Sequence, residues 1–385
     1  MSHSAPDARI AANTSIAGRW ISAIRREWFL VLAAVTCLVF LIFGKQLFLG
    51  LDSPVWLAVL FVWLFSTVLG SALGVARYAE VLSEHLGEPY STLVLTLSIT
   101  GIEVMSISAV MMHGANNPAL VRDTLFSVVM IVLGGMVGVS LLLGALRHHE
   151  QSYNLQGANA YLGVIVPLAV FSLVLPDFTR STAGPTLSGM QQIMVGVMSI
   201  GLYGTFLLIQ TGRHREFFAL SDTEGASGDA SPKAKIGLIT SIVFLLVYML
   251  PVVYLVEQLA RPIDYVIETL GAPPALGGVV MAVLVATPEA VGAVNAALQN
   301  RLQRSVNIFL GSVLATIGLT VPIMLVVAHM AGLELILGLA PPDLVLLLLM
   351  LAVCVITFSS GRTHLLQGTV HILLFLGFVL LLFQG

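Results

Sequence analysis

The chain has 385 residues, of which 57% are hydrophobic and 10% are Asp, Glu, Lys or Arg, with a mean hydropathy of +0.98. Soluble domains carry roughly 45–50% apolar and about 25% charged residues, and a chain of this length could not hide so much apolar surface from water behind so few charges. A water-soluble enzyme, a nucleic-acid binder and a disordered chain are excluded, and the formal net charge of −3 points to no partner.

Residues 1–28 form a polar segment without the features of a cleaved leader, and are expected to be cytoplasmic. Trp20, Arg25, Arg26 and Trp28 at its end have the make-up of an interfacial anchor. Apolar runs follow near 29–48, 54–76, 91–112, 124–146, 159–176, 189–210, 236–257, 275–297, 306–330, 343–359 and 365–383. Each approaches the roughly 20 residues that a membrane span needs. Because the runs are continuous, without strand-like alternation, a β-barrel is excluded. The expected fold is an all-α polytopic membrane protein of about eleven transmembrane helices. Cys37 and Cys354 both fall inside apolar runs and read as small core hydrophobes.

Basic residues orient the chain. Arg9, Arg19, Arg25, Arg26, Arg77, Arg147, Arg213, Arg215, Lys233, Lys235, Arg301, Arg304 and Arg362 fall on one side, and Lys45, Arg122, Arg180 and Arg261 on the other. The bias places the first set, with the N-terminus, in the cytoplasm and the C-terminus outside. Residues 211–235 include SDTEGASGDASP and read as a flexible cytoplasmic linker. The linker separates a leading helix (29–48) and five helices (54–210) from five more (236–383).

The two sets of five are related. Arg77, Glu84, Leu86, Gly87 and Pro89 recur as Arg261, Glu268, Leu270, Gly271 and Pro273, all at an offset of 184 residues. A long apolar helix follows each, with one carboxylate inside it: Glu103 in the first and Glu289 in the second. A loop arginine comes next, Arg122 and Arg304 respectively. An odd number of helices per unit means that the second unit enters from the opposite side, the inverted-repeat plan of many secondary transporters.

A carboxylate inside hydrocarbon costs about 2.5 kcal/mol or more, so it needs a partner. Neither span offers a Lys or Arg, which leaves a cation or a proton. Turning the first helix at about 100° per residue puts Thr92, Thr100, Ser106 and His113 on the face of Glu103, and Ser98 and Ser108 on the other. Around Glu289 the same face carries Gly292, Ala293, Ala296 and Asn300, small residues that admit a close helix. Thr287 adds a hydroxyl, and Pro288 deprives the Leu284 carbonyl of its helical donor. With Gly101 at the matching depth, the expectation is two facing, half-broken helices. Two carboxylates and several neutral oxygens suit a hard cation such as Ca²⁺, which takes about 6–8 oxygen ligands. When the ion leaves, two buried like charges do not both stay ionised, so a proton enters. Competition for a site exposed alternately to the two sides produces antiport. No resident cofactor is expected, and the transported ions are Ca²⁺ (or Na⁺/K⁺) and H⁺. Transport without proton coupling, through a channel or uniporter, uses the same residues. An intramembrane enzyme or a structural membrane subunit is the third reading.

At these residues the chain resembles a known family. LGEPYSTLVLTLSITGIEV and ATPEAVGAVNAALQNRLQRSVNIFLGSVLATIGLTVP are similar to the two alpha-repeats of the cation/calcium exchanger superfamily, and above all to its bacterial ChaA-type calcium/proton antiporters. The resemblance implies that Glu103 and Glu289 bind the cation and the proton, in a bacterial inner membrane. It also implies that Gly311 and Ser312 on the following helix line the same site, with Thr316 one turn on. The first repeat lacks the Gly-Ser pair, and Ser127 is its nearest counterpart. The family's Gly-Asn before each glutamate is replaced by Ile99-Thr100 and Val285-Ala286, a thinner ligand set that leaves room for Na⁺ or K⁺.

Other motifs carry less. His113 and Asn117 have an HxxxN spacing, but the one G-x-S-G of the chain, Gly225 to Gly228, falls in the polar linker and not in a span as an intramembrane protease requires, and no Walker loop or HExxH occurs. His364 and His371 read as interfacial or satisfied histidines. Arg122 and Asp123 read as a helix-start aspartate beside an exposed arginine, with a gate pair at the outer mouth as the alternative.

Overall fold

A computed structural model describes residues 27–86, 90–113, 117–219 and 237–384. The N-terminal segment up to residue 26, Gly87 and Pro89 of the repeat, and most of the linker lie outside the described residues, as do the side chains of Glu84, Leu86, Thr92 and His113.

Eleven helical rods account for nearly all of the described chain: α1 (Trp28–Gly50), α2 (Pro54–Leu86), α3 (Tyr90–His113), α4 (Leu120–His148), α5 (Leu155–Phe178), α6 (Gly189–Arg213), α7 (Leu238–Glu268), α8 (Leu276–Leu298), α9 (Leu302–Ala331), α10 (Pro341–Thr357) and α11 (Leu365–Gln384). Among them, nine are long and apolar enough to cross a membrane, and Thr96–Met112 and Pro341–Thr357 are shorter apolar stretches. Apolar side chains face outward along them, as Leu38, Leu41 and Ile42 do on α1, and a lipid solvent makes that arrangement favourable. α2 and α7 run well past their apolar cores, because Arg77, Glu80, Asp264 and Glu268 continue the helices into the polar region. At 33 and 31 residues both exceed the bilayer thickness and are long enough to tilt.

The loops gather at two ends. At one, Gln151–Ser152 pairs antiparallel with Arg362–Thr363, the Asn154 amide donates to the Gln303 side chain, and Arg304 meets Glu80. At the other, Arg122 donates to the Gly338 carbonyl, the Leu339 amide donates to Asp177, and Arg261 lies over the Phe48 ring. Arg77, Arg147, Arg301, Arg304 and Arg362 thus share the first end, here termed the basic end.

Two apolar cores form. The smaller joins α1, α2 and α7 and touches α3 and α8 through Ile102, Met281 and Leu284. The larger holds α4, α5, α6, α9, α10 and α11. α3 and α8 therefore stand at the seam between the two. α2 and α7 run antiparallel, since Arg77 approaches Tyr248 while Asp52 bonds Tyr265. α3 and α8 also oppose each other: Val110 and Met111 near the end of one meet Gly277 and Met281 near the start of the other.

Three expectations are corrected. α3 and α8 are unbroken through Gly101 and Pro288. A proline removes one backbone bond, and in a membrane interior neighbouring helices hold the rod straight enough to continue. The irregular backbone lies elsewhere, in π-helical turns at Met130–Met136 of α4 and Thr316–Thr320 of α9. The linker also begins later than residue 211: α6 continues to Arg213, and Phe218 is buried with its ring edge-on to Tyr161 and Phe206. Lastly, Asp123 does stand in the first turn of α4, but it is buried in an ion pair at 2.8 Å with an Arg122 that is itself only about one-fifth exposed.

Candidate ion-binding site

Glu103 on α3 and Glu289 on α8 are 1% and 4% exposed, and they accept from hydroxyls one turn apart on α9. Both helices present their carboxylates to α9. The Ser312 hydroxyl donates to Glu289 Oε2. One turn on, the Thr316 hydroxyl donates to Glu103 Oε2 at 2.9 Å. Thr320, a further turn along, carries a buried hydroxyl without a hydrogen-bond partner. Residues four apart share a helix face, so 312, 316 and 320 make one hydroxyl stripe across the site. The π-helical turn begins at Thr316, and such turns free backbone carbonyls and recur at functional sites. Gly311 faces Tyr161 and Thr96, and a Cβ there would make ordinary contacts of 3.6 Å to the Tyr161 hydroxyl and 3.9 Å to Thr96 Oγ1.

Part of the site is unsatisfied. Glu103 Oε1 and Ser106 Oγ are buried without a hydrogen-bond partner. No ion pair reaches either glutamate among the described residues. Leaving a buried acceptor unpaired costs about 1–3 kcal/mol, more for a charged group. A proton or a cation removes that cost. The described residues contain no group of three or more His, Cys, Asp and Glu, and the groups gathered here are oxygens of two carboxylates, hydroxyls and backbone. Such a set matches hard cations and not soft transition metals.

The other expected site residues divide. Thr100, one turn before Glu103, is buried. Thr287 donates to the Val283 carbonyl of its own helix at 2.6 Å, which leaves only its lone pairs for a ligand. Ser127 is buried on α4 and bonds neither glutamate. Among the described residues, the two hydroxyls bonded to the carboxylates both come from α9, and none comes from α4.

Among the described residues, a cleft leads to the pair from one end. A cleft of about 340 Å³ runs from Glu289 to the basic end, past Gly292, Asn295, Arg77, Glu80 and Arg304. At the opposite end α3, α4, α7 and α8 enclose a space of about 30 Å³ that reaches neither glutamate. The two spaces are built by corresponding helices of the two halves. Sequence reasoning missed the cleft, Thr320 and the π-helical turns; the spacing of Ser312, Thr316 and Thr320 is the signal that marks the stripe.

The helices define a polytopic helical membrane protein, with a pair of carboxylates buried at its seam. Residues 56–212 and 240–384 match the sodium/calcium exchanger protein family, and the chain belongs to it. It is similar to a putative ionic transporter, y4hA, of Sinorhizobium fredii (strain NBRC 101917 / NGR234), with 41% identity over 313 residues, 81% of this chain and 85% of that protein. The sodium-potassium/proton antiporter ChaA of Escherichia coli (strain K12) is 39% identical over 319 residues, 82% of this chain and 86% of the relative. In fold it is similar to native YfkE, with a TM-score of 0.72 at 19% identity, covering 93% of this chain and 100% of that one. The selenium-substituted form, described as a Ca²⁺/H⁺ antiporter protein, gives 0.69 at 18% identity over the same shares.

Proposed function

We propose that this protein is a secondary active cation/proton antiporter that exports Ca²⁺, and also Na⁺ or K⁺, in exchange for H⁺. The observation that carries the reading is the pair Glu103–Glu289, buried side by side, bonded to α9 hydroxyls and without a basic partner among the described residues. Two carboxylates hold a cation when both are ionised. Once it departs, their mutual repulsion in a low dielectric draws in a proton. The antiparallel courses of α2 with α7 and of α3 with α8 support inverted repeats, and the matching spaces at the two ends support alternating access about the seam. Transport, and not an enzyme reaction, is also what the names of the relatives describe.

Positive-inside bias supports a cytoplasmic basic end in a bacterial inner membrane, so that the cleft faces the cytoplasm and α11 ends outside. A second reading, a Na⁺/H⁺ or K⁺/H⁺ antiporter with little Ca²⁺ activity, is favoured by a specific asymmetry. α9 supplies hydroxyls to both carboxylates and α4 to none, which gives fewer ligands than a fully dehydrated Ca²⁺ takes. The relative at 39% identity is named for sodium and potassium. Everted membrane vesicles holding an acid-inside gradient separate the readings when Ca²⁺, Na⁺ and K⁺ are added in turn. Loss of the gradient on adding a cation supports antiport with that ion. Cation uptake without proton movement indicates a channel instead.

A further inference from the structure

The cleft that leads to Glu289 is an unexpected path for a cation, because Arg77, Arg301 and Arg304 line it. Like charges at a mouth lower the local cation concentration and slow entry. Arg77 and Arg304 are bound to acids. Arg77 lies 2.5 Å from Glu27, which also accepts from the Tyr78 and Tyr248 hydroxyls. Arg304 lies 3.3 Å from Glu80, and both side chains are about two-fifths exposed. Glu80 is therefore the carboxylate at the wet part of the cleft, and Glu289 the one at its closed end.

The second half repeats this placement. At the offset of 184 residues that relates the halves, Arg77-x-x-Glu80 becomes Arg261-x-x-Asp264. Asp264 lines the small space at the opposite end, together with Asn117 and Ile267. α2 and α7 are antiparallel, so the two acids stand at opposite ends of the molecule, each on the route that its own end would open.

We propose that Glu80 and Asp264 are mouth carboxylates that recruit the cation, one on each face of the membrane. Glu80 is the exposed carboxylate that lines the cleft on the basic-end side of Glu289. Arg304 holds its place until the cation displaces it, and the cation then passes along the cleft to Glu289. Asp264 does the same work at the other end once the molecule opens there. The inference rests on the antiporter reading, and it makes these acids determinants of affinity and sidedness, separate from the transport site.

The test is initial-rate transport of Ca²⁺, with Na⁺ and K⁺ as further probes, in both everted and right-side-out vesicles. Glu80→Gln should raise KM about fivefold on the basic-end face alone, with the maximal rate unchanged. Choline chloride should shrink the difference, since added salt screens the mouth charge, and Glu80→Asp should restore the wild-type KM. Asp264→Asn should raise KM on the opposite face alone. Equal changes on both faces, a fall in maximal rate without a KM change, or no change in either variant would overturn the proposal. Absence of cation-coupled proton movement in the wild type would instead overturn the antiporter reading.

Discussion

Thr316 donates to Glu103 across 2.9 Å, so a helix of the second half completes the carboxylate site of the first. Ser312 does the same for Glu289 within its own half. One rod therefore senses both carboxylates, and a shift of α9 changes the ligands of both together.

Removing either hydroxyl should weaken cation binding. Hydrogen bonds to charged groups contribute about 1.5–3 kcal/mol, so Ser312→Ala and Thr316→Ala should each raise the cation KM about tenfold or more. Thr316→Ser keeps the donor and should stay near wild type. Transport kinetics over a cation series check this, and an unchanged KM in both alanine variants would remove α9 from the site.

Proton and cation occupy the same carboxylates in this account, which fixes the sign of the pH dependence. Lower pH fills the site with protons, so the cation KM should rise as pH falls, by up to about tenfold per unit for each proton displaced. At high pH the KM should level off. Cation-dependent fluxes at a series of symmetric pH values provide the check, and a KM that falls with acidification contradicts competition.

His371 is buried on α11 between the Leu133 carbonyl, 2.6 Å away in the π-helical turn of α4, and Thr357, 3.0 Å away. His371→Phe leaves both groups unpaired in a dry interior, at a cost of about 1–3 kcal/mol each. A lower unfolding temperature in detergent is expected. His371→Gln, which retains donor and acceptor, should lose less.

α4 and α11 touch through glycines. A Cβ on Gly138 would sit 2.9 Å from the Ile372 amide nitrogen, and one on Gly368 would sit 2.6 Å from that of Leu142. Backbone cannot give way as a side chain does, so Gly368→Ala should destabilise by about 1–3 kcal/mol. Gly163→Ala on α5, where a Cβ meets nothing within 4 Å, is the control and should be neutral. Thermal unfolding of the two variants side by side decides the point.

Much of the fold and of the site is legible in the amino-acid sequence. Apolar runs mark the rods because lipid rewards continuous hydrophobicity, and the isolated Glu103 and Glu289 stand out because charge inside a span is costly. Ser312 and Thr316 come from family resemblance, since a hydroxyl in an apolar run does not reveal which helix it meets. The π-helical turn at Thr316 has no strong local signature. Pro288 misleads: its missing donor is a local fact, and whether a helix breaks there depends on neighbours that sequence does not display. The Glu80–Arg304 pair joins residues 224 apart, and only the packing of α2 near α9 reveals it.

The most direct test of the account measures cation-driven proton flux in proteoliposomes containing wild type, Glu103→Gln or Glu289→Gln. Glutamine keeps the shape and removes the charge and the titratable proton. Each variant is expected to abolish coupled exchange while the protein remains folded in the membrane. Wild-type exchange in either variant would contradict the two-carboxylate site.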